Sequence, residues 1–600
     1  MTQKTSANSS LPDVLRIITP LLCGLVMLFC AFPATAQVQA TGTADFTTNL
    51  QQIDGFGFAN PFGRSGYLQN SPLIRDAVVD KMFNTVTGAG ASILRLGIIT
   101  DSNIEPNSPG DPNATPTYVW DGNDSGQVWL AQYAQKYGTR RFYQDSWGAP
   151  SFMKTNGDTD NGGQICGMPG ATACATGDWR QAYANFVVQY AQFYHQAGIP
   201  VTDINFVNEP NENVTYASLT LSTAQVVDFE KNYFGPAVQA SGLTSLKIVC
   251  CDHSNWTGAK QYDTAVNSDP VAAAFVTTYS GHEYGATATS ALVTGSTKHS
   301  WMSEWASANA TAFNDSWDMR ENNSTANNGM NLAMDISRAL TQGNVSAYLY
   351  WYGDSTGATG GFFSLSATSN ATSFMLTKRL WALADFARFV RPGAYRVPAT
   401  TSNSQTVITA FRNTNGNKVI NLLNQNTSAV NLLLTLDAST ASWLPTTYVT
   451  DENNAIAPVS GIAGVTGNTL SVTLSPRSMT SVLLAPPKVS GSVQLLTSAT
   501  LQKFGDGSYQ ATVKVSNLGT GTASQVELDS SSLGSAAGDT LPTAPLPYQL
   551  GDIAPGSFAI FVVNFPASAG NSGAAAAERY MGSYDGGSFS GSMRAVLPGI

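Results

Sequence analysis

Short apolar runs alternate with longer helical patterns from about residue 53 to residue 390. Each run is rich in β-branched or aromatic residues and has the length of a buried strand. The pattern predicts eight strands, at 53–58, 92–98, 141–147, 203–208, 246–252, 275–284, 298–305 and 345–353.

Amphipathic helix patterns separate these strands. Residues 179–198 carry apolar side chains at i, i+3 and i+4 spacing, and residues 223–242 form a second pattern with Pro236 inside it. Eight strands alternating with helices over residues 51–392 predict an α/β fold, a (β/α)8 TIM barrel. The alternative is a doubly wound open sheet, but the Gly-rich segment 55–63 does not match the phosphate-binding fingerprint of such sheets.

The helical periodicity ends after residues 379–397. Short strands separated by turn residues follow and predict a β-sandwich side domain over 393–487, which residues 37–50 are predicted to join. Residues 488–600 predict a further, immunoglobulin-like β-sandwich. This last segment contains no cluster of His, Cys or carboxylates, so we interpret it as a spacer or accessory domain, with sugar binding as the alternative.

The surface composition restricts the class of partner. Charged residues are 12% of the chain, about half the usual share, and the formal net charge is −10. Nucleic acid and anionic membrane both require a field of Lys and Arg that this composition does not supply. A polysaccharide requires no such field, and some of the aromatic residues, 10% of the chain, are candidates for stacking on sugar rings. We expect a polysaccharide-binding monomer that does not bind nucleic acid.

The first 36 residues have the pattern of a secretion signal peptide. Lys4 and Arg16 precede the apolar segment 17–32, and small residues at 34 and 36 provide a cleavage site before Gln37. An uncleaved membrane anchor is the alternative. No later stretch is apolar and long enough to cross a bilayer, so we expect a secreted, extracellular protein that is not inserted in the membrane after cleavage.

Four cysteines follow the signal peptide. Cys166 and Cys174 bracket a Gly-rich loop and are predicted to form a disulfide in an oxidising compartment. Cys250 and Cys251 are adjacent, and a disulfide between them and two buried thiols are both open interpretations. Neither pair has His or Cys neighbours at zinc-binding spacing, so no metal site is predicted.

Two glutamates stand near the ends of predicted strands. Asn208 and Glu209 end the fourth strand, and Glu304 lies near the end of the seventh. The active sites of TIM barrels lie at the carboxyl ends of the strands, so the two acids are expected to face each other. Other polar and aromatic residues at the same edge are Arg95, Trp147, His282, Tyr284 and Trp351.

Glycosidic bond cleavage requires such a pair. One carboxylic acid protonates the leaving oxygen, and a second carboxylate faces the developing oxocarbenium ion. Their surroundings must separate the two pKa values. We expect Arg95 to keep Glu304 ionised and Tyr284 to donate to it, whereas neutral Asn208 lies beside Glu209 and can bind the sugar 2-hydroxyl. Glu209 is therefore predicted to be the general acid/base and Glu304 the nucleophile.

Several motifs resemble glycoside hydrolase family 30. They are "IDGFGF", "ILRL", "SWGAPSFMK", "NEP", "HEYG", "WMSEW" and "KRLWALADFARFVRPGAYRV", and the similarity covers roughly residues 40–486. The resemblance implies a barrel fused to a β-sandwich, a retaining mechanism and no cofactor. It gives the same roles to Glu209, Glu304, Asn208 and Tyr284, and matches Arg95, Trp147 and Trp351 to pocket positions.

The substrate is expected to be a β-1,4-linked xylan, because the "CCD" at 250–252 and the "FVRPGAYRV" segment look most like the xylanase-type members. Arg64 is a candidate for gripping a glucuronic acid branch, since a guanidinium can bind a carboxylate through two hydrogen bonds; a solvated loop arginine is the alternative. A β-1,6-glucanase or a glucosidase of the glucosylceramidase type, and a non-catalytic carbohydrate-binding protein, are the rival functions. Glu212 is interpreted as a solvated loop residue.

Overall fold

The computed structural model describes most of the chain beyond the predicted signal peptide, and residues 1–36 lie outside the described part. The described residues are 37–99, 107–114, 116–306, 315–318, 328–357, 360–437, 440, 443–540 and 546–599.

A closed barrel of eight parallel strands forms the centre of the protein. After β1 (Val38–Ala44), the barrel strands are β2 (Gly55–Ala59), β3 (Ile93–Ile98), β4 (Arg141–Ser146), β5 (Asp203–Asn205), β6 (Lys247–His253), β7 (Val276–His282), β8 (His299–Glu304) and β9 (Ala347–Trp351). They are arranged in sequence order, and β9 closes the barrel by pairing with β2. The predicted TIM barrel is confirmed.

The barrel helices bury their apolar faces against these strands. They are α1 (Arg64–Gln69), α2 (Arg75–Phe83), α3 (Gln127–Lys136), α4 (Arg180–Gln196), α5 (Thr223–Phe229), α6 (Gly235–Ala240), α7 (Trp256–Ser268), α8 (Pro270–Phe275), α9 (Gly329–Thr341) and α10 (Lys378–Ala387). The helix predicted at 223–242 is divided, because a π-helix at Glu230–Phe234 separates α5 from α6. Pro236 lies in the first turn of α6, directly after this π-helix.

The side sandwich follows the barrel. The strands here are β10 (Asp354–Thr356), β11 (Phe363–Leu365), β12 (Phe374–Leu376), β13 (Tyr395–Val397), β14 (Ala399–Thr401), β15 (Thr406–Arg412), β16 (Lys418–Asn424), β17 (Val430–Leu436), β18 (Leu444–Thr450), β19 (Ala457–Pro458), β20 (Ala463–Thr466), β21 (Thr469–Leu474) and β22 (Ser478–Ala485). One sheet has the order β14-β1-β17-β21-β20 and the other β13-β15-β16-β22-β18-β19, while β10 to β12 form a small separate sheet. The N-terminal strand β1 therefore belongs to the sandwich, paired in parallel with β17.

The C-terminal domain is a second sandwich. Its strands are β23 (Leu495–Lys503), β24 (Tyr509–Asn517), β25 (Ala523–Leu533), β26 (Ala536–Ala537), β27 (Tyr548–Ile553), β28 (Phe558–Phe565), β29 (Ala575–Tyr584) and β30 (Gly587–Val596). One sheet has the order β23-β24-β28, and the other β26-β25-β29-β30 with β27 also paired to β25.

This C-terminal sandwich is docked on the barrel. Buried Gln510 donates to the carbonyl of Gln135 at 2.8 Å and accepts from Arg140, and Asn564 donates to the carbonyl of Lys136 at 3.1 Å. Gln135 and Lys136 end α3 and Arg140 precedes β4, so the contact lies at the amino ends of the barrel strands. The domain is held at the end of the barrel opposite the carboxyl edge.

Two disulfides lie within the barrel domain. Cys166 and Cys174 are bonded as predicted, with their Cα atoms 5.7 Å apart. Cys250 and Cys251, left open above, are also joined and lie buried in β6. Among the described residues, none of the helices combines the length and the hydropathy that a bilayer crossing requires.

Replacement of Arg140 tests the docking contact. We expect Arg140→Ala to lower the free energy of unfolding by about 2 kcal/mol, because it leaves Gln510 without its charged partner in a buried interface. Calorimetry should show a melting temperature lower by a few degrees. Lys488→Ala, which removes an exposed cation within the C-terminal sandwich, is the matched control. Equal melting temperatures for the two variants would contradict a stabilising role for this interface contact.

Candidate active site

Glu209 and Glu304 meet at the carboxyl edge of the barrel. Glu304 is the last residue of β8, and Glu209 lies in the turn that follows β5. One carboxylate oxygen of each lies within 4.8 Å of the other, and a ring nitrogen of His282 lies within the same distance of both. The two glutamates predicted from the sequence are therefore neighbours.

The backbone around Glu209 is held in an uncommon conformation. The predicted strand 203–208 is shorter in the structure, because the side chain of Asn205 donates to the carbonyl of Val207 at 2.7 Å and turns the chain. Glu209 itself has a φ of 48°, and its N–H donates to the carbonyl of Asp252 at 2.9 Å. Left-handed backbone is costly for a residue with a side chain and is concentrated at functional sites.

Glu304 accepts hydrogen bonds on both carboxylate oxygens. Tyr284 donates to Oε1 at 2.9 Å, and Arg95 donates to Oε2 in a charge-assisted contact. Glu304 is only 5% exposed, so these two donors replace the hydration that its charge would have in water. The arrangement suits an ionised carboxylate.

Arg95 connects several of the site residues. Its guanidinium is fully buried and also donates from Nη2 to Oδ2 of Asp145 at 2.5 Å and to Oδ1 of Asn208 at 2.6 Å. It lies 4.7 Å from the centre of the Trp147 ring. Because Asn208 accepts through its oxygen, its amide NH2 is left as the group that can donate to a ligand.

His282 is the second buried cation of the site. Its Nδ1 is 2.8 Å from Oε1 of Glu209, and its Nε2 lies 3.8 Å from Asp252 and 3.9 Å from Glu304. Burial lowers the pKa of His282, but the surrounding carboxylates outweigh burial and raise that pKa to about 10. The imidazolium therefore donates its Nδ1–H to Glu209 at neutral pH.

The two glutamates have different electrostatic surroundings. Burial raises the pKa of Glu209 above its ordinary value; the hydrogen bond from His282 opposes this rise, and the charge of Glu304 adds to it. Burial likewise raises the pKa of Asp145, together with the charge of Asp252. Although burial acts in the opposite direction, His282 and Arg95 hold the pKa of Asp252 well below its usual range. Two cations thus face the carboxyl groups of Asp252 and Glu304.

A cavity of about 550 Å³ opens above the two glutamates. Its walls are aromatic and polar, and the residues that line it are Phe62, Arg64, Trp147, Glu209, Glu212, Val214, Tyr216, Ser254, Tyr284, Glu304 and Trp351. Of the predicted substrate contacts, Arg64, Trp147, Tyr284 and Trp351 reach this cavity. Cavities of this size accommodate small ligands or a few sugar units.

The sequence interpretation needs correction at three residues. Arg95 and His282, which the sequence places at the mouth of the barrel, are fully buried beneath the glutamates and do not line the cavity. Arg95 binds Glu304, as expected, and His282 binds Glu209. Glu212, predicted as solvated, lines the cavity. Asp145 and Asp252 were not predicted at all. An acid inside a predicted barrel strand, as at position 145 in β4, was the available signal for a buried ion pair.

Glu209, His282 and Glu304 are also the residues that could offer ligand atoms to a metal ion. In the structure these atoms are engaged with each other or with Arg95 and Tyr284. Cys250 and Cys251, which form a second such group with Asp263, are oxidised and offer no thiolate.

Two family models match the chain. The glycosyl hydrolase family 30 TIM-barrel domain matches residues 123–351, and the glycosyl hydrolase family 30 beta sandwich domain matches residues 393–482. The catalytic domain of a GH30 xylanase C from Talaromyces cellulolyticus is 34% identical, with a TM-score of 0.68, and the match covers 74% of this chain and 100% of that one. The chain belongs to glycoside hydrolase family 30.

Other relatives of this family 30 glycoside hydrolase carry different names. Putative glucosylceramidase 1 of Caenorhabditis elegans is 26% identical over 64% of this chain and 76% of its own length. Glucuronoxylanase XynC of Bacillus subtilis is 23% identical over 79% of this chain and 99% of its own length. The predicted family and fold are confirmed, and the substrate is a separate question.

The charge of His282 gives a prediction for the pH profile. The imidazolium lowers the pKa of Glu209, so we expect His282→Asn to raise that pKa further. Activity that requires protonated Glu209 is then retained to higher pH. The basic limb of the kcat/KM profile therefore shifts to higher pH, while the maximum value of kcat/KM falls.

His299→Asn is the matched control, because His299 lies at the other end of the barrel and binds Asp54. Its profile should keep the wild-type limbs. A basic limb that is unmoved or shifted to lower pH in His282→Asn would contradict the role given to His282.

Proposed function

We propose that this protein is a secreted retaining glycoside hydrolase that cleaves β-1,4-xylosidic bonds of xylan, including glucuronoxylan. The observation that carries the mechanism is the spacing of the two acids, whose nearest oxygens lie within 4.8 Å. Retaining enzymes place their carboxyl groups about 5–5.5 Å apart, whereas inverting enzymes need about 6.5–9.5 Å to admit a water molecule.

In the first step Glu304 attacks the anomeric carbon and Glu209 protonates the departing oxygen. Arg95 and Tyr284 hold both oxygens of Glu304 and so orient it as a nucleophile. Burial raises the pKa of Glu209 and so favours the protonated form that this step requires. After it gives up its proton, the carboxylate that forms on Glu209 is stabilised by the hydrogen bond from the His282 imidazolium.

In the second step Glu209 acts as a base toward water. Once Glu304 is esterified by the sugar, it no longer carries the charge that raises the pKa of Glu209. The pKa of Glu209 then falls, and its carboxylate can take a proton from the attacking water. One residue can serve as acid and then as base because the charge of its neighbour changes between the steps.

Xylan is the substrate best supported by the comparisons and the cavity. The similar xylanase C and the similar glucuronoxylanase both act on xylans according to their names. Trp147 and Trp351 supply aromatic surface to the cavity, on which sugar rings stack. Glucosylceramidase-type activity is the rival suggested by the similar worm protein, and a β-1,6-glucanase is another. A non-catalytic binding protein is disfavoured, because both acids and their partners are in place.

Arg64 supports recognition of an acidic branch. Its guanidinium lies 4.2 Å from the centre of the Tyr352 ring and 5.5 Å from that of Trp351. Within the described part of the chain, no carboxylate lies within ion-pair distance of it. The charge of Arg64 acts on buried Asp354 without a direct ion pair. A cation that lines the cavity and has no direct ion pair suits a glucuronic acid carboxylate on the substrate.

Secretion is part of the proposal and rests on the leader pattern of residues 1–36 and on two disulfides. We propose a monomer, because one barrel supplies both acids and the side chains that bind them.

Azide rescue tests the two roles. With an activated aryl glycoside, Glu304→Ala should lose about 10⁴-fold or more in kcat. Added azide should restore turnover and give an α-glycosyl azide, because azide replaces the missing carboxylate. Glu209→Ala with azide should instead give the β-anomer, because azide attacks the glycosyl-enzyme from the leaving-group face. Proton NMR identifies the anomers, wild type serves as control, and the same anomer from both variants would refute the assignment.

The substrate is tested with glucuronoxylan, linear xylan and β-1,6-glucan, followed by mass analysis of the products. We expect cleavage of the xylans and preference for the branched one. Arg64→Ala should lose about 10- to 100-fold in kcat/KM on glucuronoxylan and much less on linear xylo-oligomers. Arg75→Ala, on the outer helix α2, is the control. Equal losses on both substrates would contradict a contact between Arg64 and the acidic branch. Cleavage of β-1,6-glucan alone would contradict xylan as the substrate and support a β-1,6-glucanase instead.

A further inference from the structure

The cavity contains a third carboxylate, Glu212, that the reaction described above does not use. Its N–H donates to the carbonyl of Glu209 at 2.9 Å, so it lies in the same turn as the acid/base. Its Oε1 accepts from Ser254 at 2.8 Å and from Asn211 at 2.6 Å. These bonds join the loops that follow β5 and β6 and fix the side chain.

The other oxygen of Glu212 is available to a ligand. Within the described residues no hydrogen bond is formed by Oε2, and no cation lies within ion-pair distance of the side chain. Glu212 is half-buried at the cavity wall. Burial raises the pKa of the neighbouring Tyr216 to about 12, with added contributions from the charges of Glu209, Glu304 and Glu212. The carboxylate of Glu212 therefore lies at the wall of the space that a sugar would occupy.

The barrel topology places Glu212 opposite Arg64. Arg64 begins α1, which follows β2, and its guanidinium lies against Trp351 at the end of β9 and Tyr352 after it. β2 and β9 are adjacent in the closed barrel. Glu212 and Ser254 follow β5 and β6, which are the fourth and fifth of the eight strands and lie across the barrel. The cavity thus has a cation on one side and an anion on the other.

The direction of the substrate follows from the acid. Glu209 protonates the oxygen of the departing sugar, so that sugar must lie next to Glu209 and its turn. Glu212 belongs to this turn, whereas Arg64 lies across the cavity on the side of the sugar that becomes attached to Glu304. A carboxylate branch is therefore repelled on the Glu212 side, where the departing sugar lies, and attracted on the Arg64 side.

We propose that Glu212 is a specificity-determining residue for the departing sugar, binding a hydroxyl of a neutral unit and rejecting a unit that carries a carboxylate. Together with Arg64, it fixes the side of the cleavage point on which an acidic branch is accepted. This inference rests on the proposed hydrolase function, and its test separates the two.

The test compares two aryl β-xylobiosides, one with a 4-methoxycarbonylphenyl and one with a 4-carboxyphenyl leaving group. They present a neutral and an anionic group beside Glu212. We expect the kcat/KM ratio of neutral to anionic substrate to fall about tenfold in Glu212→Gln relative to wild type, which is the order expected for removing one carboxylate several ångströms from another in a partly solvated cleft. The intrinsic reactivities of the two leaving groups cancel in this comparison.

Three variants complete the design. Glu212→Asp keeps the charge and should keep a ratio near that of wild type, and Glu212→Ala is a second neutral variant that should behave like Glu212→Gln. Asp76→Asn, which removes an exposed charge from α2, should leave the ratio unchanged.

The outcomes separate the hypotheses. A ratio that stays the same because both substrates lose activity equally would show that Glu212 acts through Glu209, and would overturn the inference while leaving the hydrolase function intact. If wild type cleaves aryl β-glucosides but not xylobiosides, the xylan proposal fails and the same ratio is measured on the glucosides. Cleavage of no aryl glycoside by wild type would overturn both proposals.

Discussion

A buried guanidinium, Arg95, sets the constraint on which the site depends. Removing such a charge from water costs several kcal/mol unless nearby anions and acceptors compensate it. The barrel supplies that compensation from separate strands: Asp145 in β4, Asn208 after β5, Asp252 in β6 and Glu304 at the end of β8. These strands must keep their register and closure for the charge to remain compensated, so the nucleophile is positioned by the same contacts that stabilise the barrel centre.

The balance of charge around Arg95 also separates the roles of the two glutamates. Arg95 and His282 are the cations, and Asp252 and Glu304 are the anions, while burial favours the protonated forms of Asp145 and Glu209. A change of charge on any member is felt by the others at close range in a low-dielectric interior. Conversion of Glu304 to a neutral ester is such a change, and it is the step after which Glu209 must act as a base.

Much of this structure could be predicted from the sequence, because strand periodicity and strand-end residues are local signals. All eight barrel strands and the pair Glu209 and Glu304 were found in that way. The end of β5 was not predicted correctly, because the hydrogen bond from the Asn205 side chain to the Val207 carbonyl ends the strand early. Asp252 and Glu212 bind partners on other strands and loops. Asp252 accepts from Tyr143 and Ser303, and Glu212 accepts from Ser254. Spacing along one segment does not reveal such contacts, and the docking of the C-terminal sandwich through Gln510 is non-local in the same sense.

The most direct measurement of the central claim, that Glu304, bound by Arg95, is the nucleophile, is to trap the covalent intermediate. An activated 2-deoxy-2-fluoro-β-xylobioside should react once with the protein, and mass spectrometry of the digested adduct should place the sugar on the peptide "HSWMSEW" at Glu304. Labelling of Glu209, or inverted product from natural substrate with no adduct formed, would contradict the account.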